Sequence, residues 1–282
     1  MASFTNQATL WFNGKATHSN IASGELTEAL TLTKNAIPNR YHTGDILTYI
    51  ITMSNSGTSA LSGLTLTDTL GAYTIPGTTA QAVPLTYQED SLMLYVNGVL
   101  QPAPTAAQRE PLTLTDLSIP AGGHVLLLFQ AAAAATADPT ASGSIRNEVS
   151  LTGEALAAPL TAVHTVFADT APQLSISKSI CPAVVSANDP VTYTFIIQNT
   201  GNTAVTEQDD VVISDVLDPP LRDISVRFND VLWKQQYTYT DNEFRTAAGA
   251  LTVPAASYTQ DPVEGTWTIQ PGISTLTLTG TL

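Results

Sequence analysis

A lysine, an aspartate and an asparagine fall in three separate stretches of strand-like sequence, Lys34, Asp68 and Asn147, separated by 34 and 79 residues. The combination is chemically suggestive only if it is buried. An apolar setting pushes a lysine toward its neutral, nucleophilic form and an aspartate toward its protonated form. A second pair, Lys178 and Asp215, repeats the first at a separation of 37 residues, but no asparagine follows it in a closing strand. The plainer alternative is that these lysines guard strand edges and project outward while the aspartates cap turns. Other chemistry finds little support. There is no nucleophile elbow, phosphate-cradling glycine loop or zinc-binding His-Glu-x-x-His motif, and His18, His42, His124 and His164 show no ligand-like spacing, so no metal or cofactor is expected. Asp45 and Asp189 are weaker candidates for the acid role, because they sit in expected turns.

The elements that must position these residues are strands. Only 12% of the 282 residues are charged, whereas Thr, Ala, Gly and Pro are abundant, a composition suited to short strands joined by turns. Apolar and polar residues alternate in Ile46-Leu47-Thr48-Tyr49-Ile50-Ile51-Thr52-Met53 and in Val191-Thr192-Tyr193-Thr194-Phe195-Ile196-Ile197. Each run enters a turn, Asn55-Ser56-Gly57 or Asn199-Thr200-Gly201, where a positive φ is cheap. Leu30-Thr31-Leu32-Thr33-Lys34 aligns with Leu174-Ser175-Ile176-Ser177-Lys178, and the run ending Thr67-Asp68-Thr69-Leu70 aligns with Ser214-Asp215-Val216-Leu217. This is an internal repeat. It predicts an all-β chain of two immunoglobulin-like sandwiches in tandem: an N-terminal strand and connector over 1–29, a first sandwich over 30–153, a linker over 154–173 and a second sandwich over 174–282 that lacks its last strand.

The repeated residues resemble a bacterial surface repeat family known as domain of unknown function eleven. Lys34, Gly44-Asp45, Thr48-Tyr49, Asn55-Ser56-Gly57 and Asp68 meet its pattern in the first unit. Lys178, Asp189, Thr192-Tyr193, Asn199-Thr200-Gly201 and Asp215 meet it in the second, with Asn188 where Gly is usual. The resemblance implies an immunoglobulin-like building block of cell envelopes without enzymatic turnover. The Lys-Asp-Asn set also resembles the autocatalytic isopeptide domains of Gram-positive surface adhesins, in which the first and last strands lie side by side. That likeness implies that Lys34 attacks the side chain of Asn147 and ammonia leaves, with Asp68 polarising the amide and shuttling protons.

The second unit lacks an asparagine, and the N-terminus offers one. Thr5-Asn6-Gln7-Ala8-Thr9-Leu10 looks like Arg146-Asn147-Glu148-Val149-Ser150-Leu151 in the same phase, and Asn6 precedes Lys34 by 28 residues as Asn147 precedes Lys178 by 31. The strand is therefore expected to fill the second sandwich of another copy, with Asn6 joined to Lys178 under the assistance of Asp215, giving a head-to-tail homopolymer. A cut from a longer tandem array and closure of the arm on its own second sandwich remain alternatives.

The net charge of −14 with ten basic residues argues against nucleic acid, and no apolar run is long enough to insert in a bilayer. The lone Cys181 excludes an internal disulfide. The first residues lack a basic segment followed by an apolar one, so arrival at a cell or spore surface is expected after signal removal or by another route, such as lysis of a mother cell. Trp11, Trp233 and Trp267 are expected to serve packing. The function expected is that of a fibre, pilus or appendage subunit; the alternatives are a stalk or ligand-binding region of an adhesin and, more remotely, a hydrolase with a loop-built site.

Overall fold

The structure is a computed structural model that describes residues 2–26, 30–186 and 188–282. An N-terminal arm carries β1 (Ala2–Asn6), β2 (Thr9–Phe12), β3 (Lys15–His18) and β4 (Ala22–Leu26). The first sandwich follows with β5 (Leu30–Ile37), β6 (Arg40–Tyr41), β7 (Ile46–Asn55), β8 (Leu61–Asp68), β9 (Tyr73–Thr74), β10 (Gln81–Ala82), β11 (Leu85–Tyr87), β12 (Met93–Val96), β13 (Val99–Gln101), β14 (Ala106–Arg109), β15 (Leu112–Ile119), β16 (His124–Ala133), β17 (Ser144–Thr152) and β18 (Leu160–Ala168). The second contains β19 (Leu174–Cys181), β20 (Pro190–Asn199), β21 (Ser214–Val216), β22 (Arg222–Phe228), β23 (Val231–Trp233), β24 (Tyr237–Thr240), β25 (Glu243–Thr246), β26 (Ser257–Gln260), β27 (Trp267–Gln270) and β28 (Gly272–Thr281).

The all-β expectation is met. In the first sandwich, the sheet β13-β12-β16-β7-β5 faces the sheet β14-β15-β8-β17-β18-β6. Strict alternation in β7 sends Leu47, Tyr49, Ile51 and Met53 into the core between them, where they meet Leu64, Leu66, Leu114, Phe129 and Val149. A separate core built on Val191, Phe195, Val226, Phe244, Leu276 and Leu278 belongs to the second unit, whose main sheet runs β19-β20-β28-β22-β23 opposite β21-β25-β24. The β26–β27 hairpin reaches back to the first sandwich: Gln260 Nε2 donates to the Tyr73 hydroxyl at 2.7 Å, and the Trp267 N–H donates to the Ala135 carbonyl.

Three details differ from the sequence expectation. Residues 160–168, expected within a linker, form β18, which pairs with β17 along its whole length and buries Val166 and Ala168 in the first core. The strand bearing Asn147 is therefore not the last of its sandwich. The turn asparagines do not take a positive φ; they are buried and hold the turn by hydrogen bonds. Asn55 Nδ2 donates to the carbonyls of Ser59 and Pro120 and its Oδ1 accepts from Gly57, while Asn199 does the same with Thr203, Pro254 and Gly201. The N-terminal strand, expected over Thr5-Asn6-Gln7-Ala8-Thr9-Leu10, breaks at Gln7 and Ala8, and the connector after it folds back as β3 and β4, so the arm is a hairpin. At the turn where the repeat exchanges Gly44 for Asn188, both residues hold a positive φ, 93° and 71°, a conformation asparagine tolerates better than most side chains.

Candidate functional site

Lys34 lies in β5 in phase with Leu30, Leu32 and Ala36, so the pleat that buries those residues carries the lysine inward as well. Asp68 closes β8 in the facing sheet, in phase with Leu64 and Leu66. The two meet across the core. Lys34 Nζ donates to Asp68 Oδ2 at 2.5 Å, and both side chains are wholly shielded from solvent. Burying such a pair costs desolvation that the attraction barely offsets, so a sandwich core gains little stability from it over an apolar pair. Burial pushes the Lys34 amine down to about 8, against the opposing pull of Asp68 and Glu148. A lysine so placed gives up its proton more readily than an exposed one, and the Asp68 carboxylate is the group in contact with it.

Asn147 comes from β17, the neighbour of β8 in which Val149 stands opposite Asp68, and it faces the same core with no exposed surface. Its Oδ1 accepts hydrogen bonds from the Gly71 N–H at 3.0 Å and the Thr69 hydroxyl at 3.3 Å, whereas its Nδ2 has no hydrogen-bond partner. Two donors on the oxygen fix which way the amide points and draw electron density from its carbon. The Tyr49 ring lies 4.9 Å from Lys34 Nζ. Burial, and then the Asp68 carboxylate, raise the Tyr49 hydroxyl far above the ordinary phenol range; the Asn147 side chain nearby pulls the other way, but no hydrogen bond of good geometry joins them. Lys34, Asp68 and Asn147 are thus all buried in one core, with Tyr49 beside both Lys34 and Asn147. Lys34 and Asn147 reach that core from opposite sheets, which corrects the expectation that their strands lie side by side.

Thr69, Gly71 and Tyr49 were not singled out for this chemistry from sequence. Gly71 is explained only by the structure: its φ of +76° and a Cβ that would stand 2.6 Å from Ile145 Cγ2 favour glycine, and its N–H serves the amide. His164, which offered no ligand-like spacing in the sequence, is half-buried in β18 directly across from Asn147; burial, then Lys34, lowers its basicity.

The second pair has the same contact in a different setting. Lys178 Nζ donates to Asp215 Oδ2 at 2.5 Å, yet the two side chains are 39% and 19% exposed. The amine lies 4.5 Å from the Tyr193 ring centre, as Lys34 lies over Tyr49. Every residue of β19 is exposed, including Leu174, Ile176 and Ile180, which correspond to the sheltered Leu30, Leu32 and Ala36. Among the described residues no strand pairs with the edge of β21 that corresponds to the β17 side of β8. Asn6 stands in the arm, exposed and distant in sequence from this pair. The remaining expected site residues, Thr5, Gln7, Ala8, Thr9 and Leu10, are likewise exposed in the arm. Asp45 and Asp189 accept turn hydrogen bonds from the His42 and Ser186 N–H groups. Trp233 packs against Phe228 in the second core, but Trp11 is largely exposed.

No protein-family model and no curated protein matches the sequence. Among solved structures, a variant of the major pilin subunit of Bacillus cereus aligns over 96% of this chain and 73% of its own at 10% identity and a TM-score of 0.39. A fragment of the major pilin of Streptococcus agalactiae aligns over 87% and 91% at 11% identity and a TM-score of 0.36. A glycoside hydrolase from Clostridium perfringens aligns over 50% of this chain at 12% identity and a TM-score of 0.33, and the chain spans about a quarter of it, 27%. Likenesses this distant carry no information on activity or partner.

Proposed function

We propose that the protein is a structural subunit of an extracellular fibre on a cell or spore surface, joined head to tail by strand addition and cross-linked by Lys-Asn isopeptide bonds. The observation that carries this reading is the contrast between the two Lys-Asp pairs, one sealed with an oriented amide beside it, the other open and lacking that third member. In the first core Lys34 Nζ, having passed a proton to Asp68, attacks Asn147 Cγ. The Nζ–Cγ bond forms, Asp68 gives its proton to Nδ2, the Cγ–Nδ2 bond breaks and ammonia leaves, while the second Nζ proton passes to Asp68, which ends protonated. The Gly71 N–H and Thr69 hydroxyl hold the charge that develops on Oδ1. In the open site the amide comes from Asn6 of a second copy, and its strand supplies the cover that Lys178 and Asp215 lack.

The deciding measurement is a denaturing gel of purified protein boiled in detergent with reductant, run beside Asn6→Ala and a chain without residues 1–12. A ladder from the unaltered chain that both changes abolish supports the reading. A single monomer band in all three lanes, with no filaments by electron microscopy, removes it and leaves a plain tandem module.

A further inference from the structure

We infer that the element passed between copies is the whole two-stranded arm, residues 2–26, and not a single strand. The inference rests on the head-to-tail reading above and specifies its docking surface. Within the first sandwich, β17 does not act alone. It is paired with β18 from Ser144↔Phe167 to Leu151↔Leu160, and β18 lies against β5, the strand of Lys34, and pairs in parallel with β6 through Phe167↔Arg40. The arm has the same construction. β1 pairs with β4 from Ala2↔Leu26 to Asn6↔Ala22, and β2 pairs with β3 from Thr9↔His18 to Phe12↔Lys15 around an Asn13-Gly14 turn with positive φ at both residues. Aligning Asn6 with Asn147 sets Ser3 on Ser144, and the observed pairing Ser3↔Glu25 then sets Glu25 on Phe167.

The second sandwich is open at both places that such a hairpin would cover. β8 has eight residues and pairs on both sides, whereas its counterpart β21 has three and pairs only with β25. Residues 211–213, which correspond to the buried half of β8, form no strand. β19 exposes Leu174, Ile176 and Ile180, where β5 is covered. The counterpart of β6 is Val184-Val185, which forms no strand, and Val184 is 91% exposed. A lone donor strand beside β21 would leave Val184 and the outer part of β19 bare. A hairpin covers both, and the arm makes no strand pairing outside itself among the described residues. Transferring the first sandwich's register gives Ala8 opposite Asp215, Thr9 opposite Ser214 and Glu25 beside Val184. Ala22 then takes the place of His164 across from the reacting asparagine.

Two cysteine pairs separate the parts of this inference. They are placed in the full chain carrying Asn6→Ala and Cys181→Ser, so that any covalent ladder is a disulfide ladder. Neighbouring strands hold paired Cα atoms about 4.5–5.5 Å apart, within disulfide reach. Thr9→Cys with Ser214→Cys reports addition of the first strand; Glu25→Cys with Val184→Cys reports the second. After copper-catalysed air oxidation, the expected result is a reductant-sensitive ladder from each double variant and none beyond dimer from the single-cysteine chains. A ladder from the first pair alone overturns the hairpin and leaves strand addition standing. A ladder from the second pair alone overturns the assigned register and with it the inference. Ladders from neither, or bonds closed within single chains, overturn both the hairpin and the head-to-tail reading.

Discussion

The two Lys-Asp pairs have the same contact distance, 2.5 Å, and the same aromatic neighbour, yet one is sealed and the other partly open to water. Nothing in the pairs themselves accounts for this. The difference lies in β17 and β18, which roof the first pair and have no counterpart over the second among the described residues. Two finer differences follow the same division. Thr69, whose hydroxyl reaches the Asn147 oxygen, is matched by Val216, and Gly71 is matched by Asp218. A lysine and an aspartate in contact are therefore not yet a reactive site. Water exclusion and an oriented amide are further requirements; both are found around Lys34, and neither is found around Lys178 among the described residues.

The contrast can be broken most severely by removing each acid in turn. Asp68→Ala should stop the internal bond, leaving the variant at the full mass of its sequence where the unaltered protein falls about 17 Da short of its own, the mass of the ammonia released. It should also lower the unfolding free energy by about 4 kcal/mol, through loss of a cross-link spanning more than a hundred residues and a lysine left buried without a partner. Asp215→Ala in the monomer should cost no more than about 1 kcal/mol, because its partner is exposed. Mass spectrometry and urea unfolding test both, and equal losses would dissolve the distinction between the sites.

A smaller effect concerns the amide's hydrogen bonds. Thr69→Val should slow internal bond formation by about 10–100-fold, and Val216→Thr should speed the intermolecular bond, followed as mass loss and ladder growth after refolding. Unchanged rates in both would assign Thr69 to packing.

The mildest test is the pH dependence of stability. Asn147→Ala keeps the Lys34 amine free. Its folded value near 8 lies below its unfolded value near 10.5, so between those limits the unfolded chain holds the extra proton and stability should rise with pH. The unaltered protein, with that nitrogen in an amide, should lack this rise. Chemical denaturation at several pH values distinguishes the two.

Much of the site was legible before folding was considered, because strand pleating has a period of two. Lys34 shares a phase with Leu30 and Leu32, Asp68 with Leu64 and Leu66, and Asn147 with Ile145 and Val149, so local alternation alone turns all three toward a core. Lys178 has the same phase among Leu174, Ile176 and Ile180, and local alternation would bury it equally. β18 was missed because its stretch is apolar on one face for only part of its length and follows residues 153–159, which carry no strand pattern; its identity rests on pairing with β17.

The sequence by itself determined the strands, their inward faces, the repeat and the residue types that meet in the first core, since each depends on neighbours a few positions away. Only the tertiary structure decided that Lys34 and Asn147 approach from opposite sheets, that a glycine N–H and a threonine hydroxyl grip the amide, and that the arm is a hairpin. It alone set the two lysines apart, because burial depends on which distant strands come to lie over a surface, and local pattern carries no record of that.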